Sequence, residues 1–123
     1  NEELLYIQNK YFDKSIHKKK IIQHTGNSLN IMSNLNLKFD IVFIDADKEN
    51  YSEYLKMILP IMNKGAVLIS DNILWHGKVV NQDKEIDDKT RKIAEFNKNL
   101  ANELYLKSII IPIRDGISIA VKL

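Results

Sequence analysis

The sequence predicts an α/β fold, a mostly parallel sheet flanked by helices that ends in an antiparallel hairpin. Three observations carry this reading. Helical and strand spacing of apolar residues alternate along the chain. Residues 39–44 and 66–69 are short, nearly continuous apolar runs of the kind found in strands buried on both faces. Near the end, Asp115-Gly116 sits between two isoleucine-rich runs, a strong hairpin signal because glycine supplies the backbone freedom a tight turn needs.

Each element follows from its own pattern. Leu4, Leu5, Tyr11 and Phe12 have helical spacing and predict an amphipathic helix over residues 3–13. Ile21 and Ile22 mark a short strand closed by Gly26. Asn27 or Ser28 then caps a helix through Leu35, since either side-chain oxygen can accept the free amide protons of a first turn. After the strand at 39–44 comes the polar cluster 45–50. Tyr51, Tyr54, Leu55, Ile58 and Leu59 then recur at helical spacing until Gly65 stops them. The strand at 66–69 leads into a polar loop from His76 to Asp87, and Ile93, Phe96, Leu100 and Leu104 mark the last helix. Strands at 109–113 and 117–121, joined through Arg114-Asp115-Gly116, close the chain.

At 123 residues and 45% hydrophobic content, residues 1–123 make one compact domain with a single core and a single site. The formal charge of +2 comes from 18 basic and 16 acidic residues. Outside Lys18-Lys19-Lys20 the basic residues are dispersed, which argues against a dedicated nucleic-acid surface. With no cysteine, any metal must be held by oxygen or imidazole. No apolar run is long enough to cross a bilayer and no signal peptide is seen, so a soluble cytoplasmic protein without a membrane partner is expected. The chain opens on Asn1-Glu2-Glu3 and enters helical spacing at once, which reads as a piece of a longer one.

Ligands of open parallel sheets bind at the carboxyl ends of the strands. Two such ends are rich in oxygen donors: Asp45-Ala46-Asp47-Lys48 and Asp71-Asn72. If the strands are neighbours, Asp45, Asp71 and Asn72 can converge as three oxygen ligands carrying two negative charges. Such a set suits a hard divalent cation that keeps open positions for substrate. Mg²⁺ fits best, with Mn²⁺ and Ca²⁺ sharing its preference for oxygen. Asp and Asn are also common turn formers and helix caps, but two clusters at successive strand ends favour ligation. Lys48, one helical turn from Asp45, is the candidate base, since a nearby cation disfavours a protonated amine. Trp75 and His76 enter the following loop, where a substrate would sit. The sequence has no phosphate-binding glycine loop, nucleophile elbow or His-Glu-x-x-His pair, which removes most support for hydrolase and nucleotide-triphosphate readings.

The strings Phe39-Asp40-Ile41-Val42-Phe43-Ile44-Asp45-Ala46-Asp47-Lys48-Glu49-Asn50-Tyr51, Gly65-Ala66-Val67-Leu68-Ile69-Ser70-Asp71-Asn72-Ile73-Leu74-Trp75 and Ile111-Pro112-Ile113-Arg114-Asp115-Gly116 resemble the cation-dependent O-methyltransferases of the caffeoyl-CoA and catechol type, especially bacterial ones. The resemblance implies a Rossmann-like methyltransferase sheet with S-adenosylmethionine as methyl donor. It implies metal ligation by Asp45, Asp71 and Asn72, and proton removal by Lys48. Asp45 and Asp47 would lie against the cofactor, Asn27 and Ser28 beside its adenine, and Trp75 and His76 in the acceptor pocket.

It further implies a small aromatic acceptor with neighbouring oxygens, a modified tRNA wobble uridine as the other candidate, and a homodimer. Family members carry two more strands and a ribose-binding acid upstream, and those strands would lie between the ones at Ile21 and Phe39. The residues given are therefore expected to fold weakly and to transfer no methyl group in isolation. From another class, a phosphoacceptor receiver domain fits the length and an Asp at a strand end. Against it, no acidic pair follows an earlier strand, no Lys-Pro comes near the end, and a hairpin closes the chain. A non-catalytic oligomerisation remnant of the same fold is the remaining alternative.

Overall fold

Strand pairing sets the architecture of the computed structural model, which describes residues 2–80 and 86–123. The chain divides into two compact units, Asn1–Leu35 and Asn36–Leu123.

In the first unit a 3-10 turn, Glu2–Leu4, leads into α1, Leu5–Lys14. A second 3-10 turn spans Lys18–Lys20 and α2 spans Ser28–Met32. Asn27 caps α2 as expected, its Oδ1 accepting from the Asn30 amide at 3.1 Å. The helix ends at Met32 and not at Leu35. Ser33 Oγ and Asn34 Nδ2 both donate to the Asn30 carbonyl at 2.8 Å, and such side chains compete with the backbone for helix carbonyls. The strand expected at Ile21 and Ile22 does not form, and residues 21–25 have no regular structure. A strand exists only through a hydrogen-bonded neighbour, and the described part of this unit contains none; Ile22 is 75% exposed.

The second unit is built on four strands, β1 (Phe39–Ile44), β2 (Met62–Asp71), β3 (Leu106–Ile111) and β4 (Ile117–Lys122), in the order β1-β2-β4-β3. β1 and β2 are parallel, joined through α3, Tyr51–Ile58. β4 runs antiparallel to both its neighbours. The expected hairpin therefore forms, and β4 lies beside β2, inside the sheet. Gly65 does not stop the helix. It lies within β2 at a φ of +79°, where a two-residue step from Phe39 to Ile41 is matched by a five-residue step from Met62 to Val67.

Both long helices of this unit cover one face. Ile44, Leu68, Leu106 and Ala120 of the sheet are buried together with Tyr51, Leu55 and Ile58 of α3 and Ile93, Phe96 and Leu100 of α4, Asp88–Asn102. Tyr51 meets Phe96 edge to face at 5.1 Å. On the opposite face Ile41, Phe43 and Ile109 are more than half exposed. The strands are thus covered on one side only among the described residues of this unit. Leu104 lies beyond the end of α4 and is exposed. No helix among the described residues is long and apolar enough to cross a membrane.

Asp87 starts α4. Its Oδ1 accepts from the Thr90 amide at 2.8 Å and from Thr90 Oγ1 at 3.0 Å, and these bonds hold the carboxyl below its ordinary range. A depressed carboxylate stabilises the folded state above its unfolded pKa, and that stabilisation is lost as pH falls through the folded value. Replacing Asp87 by Ala should lower the thermal midpoint at neutral pH. The gap to the wild type should close as pH drops below about 4, in melts recorded from pH 7 to pH 3.

Candidate active site

The register of β1 on β2 pairs Ile44 with Ser70, so Asp45 and Asp71 come next at neighbouring strand ends. The two ends are tied together by residues from the turn and helix that follow β1. Lys48, in a 3-10 turn at Lys48–Asn50, places Nζ 3.4 Å from Asp45 Oδ1 and 3.4 Å from the Asp71 carbonyl. Its side chain is only 10% exposed, while that of Asp45 is 54% exposed. Three residues on, one helical turn away, Tyr51 accepts from Lys48 Nζ at 2.5 Å. The Tyr51 hydroxyl donates to the Asp71 carbonyl at 3.0 Å, with the Ile44 carbonyl next at 3.3 Å. Lys48 also lies 4.6 Å from the Tyr51 ring centroid, a cation–π contact.

Tyr51 was legible in the sequence only as a helix-core residue, yet it joins both strand ends to Lys48. Burial pushes its phenol above the ordinary range, against the opposing pull of Lys48. At neutral pH it therefore remains a neutral hydroxyl that both accepts and donates.

Asp71 Oδ1 accepts from the Asn72 amide at 2.7 Å. Asn72 has a φ of +58°, and Trp75 and His76 follow at +47° and +56°, a left-handed region that bulky residues rarely occupy. The turn between β3 and β4 holds this segment. Ile73 N donates to the Gly116 carbonyl at 3.1 Å, Leu74 N to the Asp115 carbonyl at 2.9 Å and His76 N to Asp115 Oδ1 at 2.5 Å. The Trp75 and His76 rings lie 5.6 Å apart, Trp75 half-buried and His76 exposed. A Cβ on Gly116 would come within 2.4 Å of Leu74 Cγ, and its φ of +81° is itself unfavourable for other residues.

Asp47 is turned to other partners. Tyr54 Oη donates to its Oδ1 at 2.5 Å and Asn50 Nδ2 donates to its Oδ2. In the first unit, Asn27 lines a cavity of about 420 Å³ with His24, Gly26, Asn30, Ile31, Asn34 and Leu35. Ser28 follows Asn27 as the first residue of α2. The second unit thus brings together Asp45, Lys48 and Asp71, with Asn72, Trp75 and His76 following on one strap. Part of the loop expected from His76 to Asp87, residues 81–85, lies outside the described residues.

Among the described residues no group of three or more His, Asp or Glu side chains gathers as a metal cage. A cation site here would rest on two carboxylates and the Asn72 amide. That donor set is hard and leaves room for water or substrate oxygens, as Mg²⁺ requires. Asp45 is more than half exposed, and by donor chemistry alone the three residues suit such an ion.

A family model described as O-methyltransferase matches residues 1–123. Tricin synthase 2 of Oryza sativa subsp. japonica is 37% identical over 91 residues, covering 70% of this chain and 31% of the rice protein. The caffeoyl-CoA O-methyltransferase of Populus kitakamiensis is 35% identical over 94 residues, covering 70% of this chain and 39% of its own. The chain therefore spans between about a third and two-fifths of these relatives. The O-methyltransferase TomG of Streptomyces achromogenes, solved in complex with SAM, superimposes at a TM-score of 0.75 and 29% identity. The match covers 82% of this chain and 49% of TomG. None of these is a receiver domain.

Two outcomes check the geometry in the intact protein. Tyr51→Phe keeps the ring and removes the hydroxyl from Lys48 and two carbonyls, and should cost about 1–3 kcal/mol in chemical denaturation. Gly116→Ala should cost more than about 1 kcal/mol and should shift Leu74 in a crystal structure; a variant as stable as wild type with Leu74 in place would contradict the close approach.

Proposed function

This chain belongs to the O-methyltransferase family, and on that premise we propose that it forms the acceptor-side part of a cation-assisted, S-adenosylmethionine-dependent enzyme acting on a small aromatic hydroxyl. The observation that carries this reading is the joining of two adjacent strand ends, Asp45 and Asp71, by Lys48. The phenolic names of the tricin synthase and caffeoyl-CoA relatives, and the SAM bound to TomG, support it.

Asp45, Asp71 and Asn72 are the residues that would hold a divalent cation, Mg²⁺ by preference. The chemistry such a cation supplies is positive charge, which lowers the pKa of a coordinated hydroxyl and draws neighbouring oxygens into one orientation. Lys48 takes the acceptor's proton at Nζ. Tyr51 holds that nitrogen between the strand ends, so the amine meets the hydroxyl without first being ordered. Trp75 offers a half-buried ring to stack on the acceptor, and His76 borders its exposed side. In the second unit Asp45 and Asp47 are the residues that would meet the methyl donor, with Tyr54 and Asn50 fixing the Asp47 carboxylate. When bound, the donor would supply an electrophilic sulfonium methyl in line with the acceptor oxygen, its sulfur leaving as a neutral thioether as the C–O bond forms.

The test is methyl transfer from labelled S-adenosylmethionine by the intact protein, with a catechol acceptor and Mg²⁺. Chelator should abolish transfer. Asp71→Ala should lower it by at least about a hundredfold, beyond the 10–100-fold typical of losing a partner behind a metal ligand, while donor binding stays nearly intact. Transfer that persists in chelator would overturn the cation role. Transfer to tRNA with none to catechols would move the acceptor to the wobble uridine.

A further inference from the structure

α4 presents an apolar stripe to the sheet, and the half-buried Asn97 lies beside it. Ile93, Phe96 and Leu100 are buried there, while Asn97 occupies the position next to Phe96 and turns its amide toward the strap that follows β2. Asn97 Nδ2 donates to the Ile73 carbonyl at 2.8 Å. The Asn97 Oδ1 is buried and has no hydrogen-bond partner among the described residues.

For stability alone this is a poor arrangement. A buried amide oxygen without a donor carries a desolvation penalty, and a leucine of similar size would fill the space without it. What the carboxamide adds is one bond, made to the residue directly after Asp71-Asn72. Ile73 is fully buried, so its carbonyl has no access to solvent as an alternative.

The peptide between Ile73 and Leu74 is held at both ends. Its N–H goes to the Asp115 carbonyl at 2.9 Å and its C=O to Asn97. The preceding peptide is held by the Gly116 carbonyl at 3.1 Å. Those two backbone bonds come from the hairpin side. Asn97 supplies the hold from the helix side and is the side chain that acts on this peptide.

We propose that Asn97 is a positioning residue for the Asp71-Asn72 ligand pair, acting through the Ile73 carbonyl to fix the strap that leaves β2. This rests on the cation reading above. With the carbonyl released, the peptide is pinned at one end only. Asn72, already in the left-handed region, then has more conformations from which to return to the ligating one, and cation affinity falls.

Two readouts in the intact protein separate this proposal from the reading it rests on. Hydrogen exchange at the Leu74 amide, measured without metal, reports the clamp itself. It should be at least about tenfold faster in Asn97→Leu than in wild type, and an unchanged rate would overturn the clamp. Mn²⁺ affinity, measured by electron paramagnetic resonance, reports the consequence. Asn97→Leu should weaken it about tenfold or more, and Asn97→Gln, which keeps the donor, should restore most of the loss. Leu and wild type binding Mn²⁺ equally would overturn the positioning role with the cation reading intact. A wild type that holds no Mn²⁺ would instead remove the cation reading, and the positioning role with it. Should Asn97→Leu not fold, Asn97→Ser loses the same reach and carries the same readouts.

Discussion

The parallel pairing of β1 with β2 is the constraint on which the site depends. Parallel strands end on the same edge, and the register of Ile44 on Ser70 decides which residues emerge there together. A slip of one residue would exchange the two faces of β1, burying Ile41 and Phe43 in place of Val42 and Ile44 and setting a different residue beside Asp71. Burial of Ile44 against α3 and α4 therefore fixes the chemistry as well as the core. The strand ends also leave carbonyls that the ladder no longer serves. Those of Ile44 and Asp71 face the Tyr51 hydroxyl, and that of Asp71 also faces Lys48.

Charge at this point is arranged by burial. A Tyr51 phenolate would face two carbonyl oxygens and an adjacent carboxylate, and the raised phenol pKa keeps that species away at neutral pH. Lys48 is nearly buried at the same place and finds three oxygens within reach, of Asp45, Tyr51 and Asp71. Lys48 thereby ties the Asp45 carboxylate to the backbone carbonyl at the end of β2.

Much of this was legible because it is local. A continuous apolar run ending in Asp45 or Asp71-Asn72 reads as a strand and its tip, and Asp115-Gly116 reads as a turn, since each signal lies within a few adjacent residues. What escaped depends on partners distant in sequence. Ile21 and Ile22 have β propensity but no strand to pair with among the described residues. Gly65 has the composition of a helix stop, yet the helix is already over by Ile61 and the glycine serves a break in strand register. Tyr51 and Asn97 carry helical-face signals only; their polar atoms act on residues 20 and 24 positions away. The spacing of Lys48 and Tyr51 was the one available hint, since residues three apart share a helical face.

The strap from Asn72 to His76 shows why the hairpin belongs to the site as much as the strand ends do. Left-handed backbone costs a non-glycine residue roughly 1–2 kcal/mol, and Asn, whose short side chain tolerates the region, accounts for only one of the three such residues here. Trp75 and His76 have no such excuse. Their conformation is opposed locally, so it must be imposed by contacts, and the amides of Ile73, Leu74 and His76 are all taken up by Asp115 and Gly116. Each such bond contributes about 0.5–1.5 kcal/mol, which offsets part of the backbone cost. Gly116 allows the approach, because any larger residue would strike Leu74. The backbone path of the strap is thus held by a turn about forty residues away, while Asp45 and Asp71 are placed by β1 and β2.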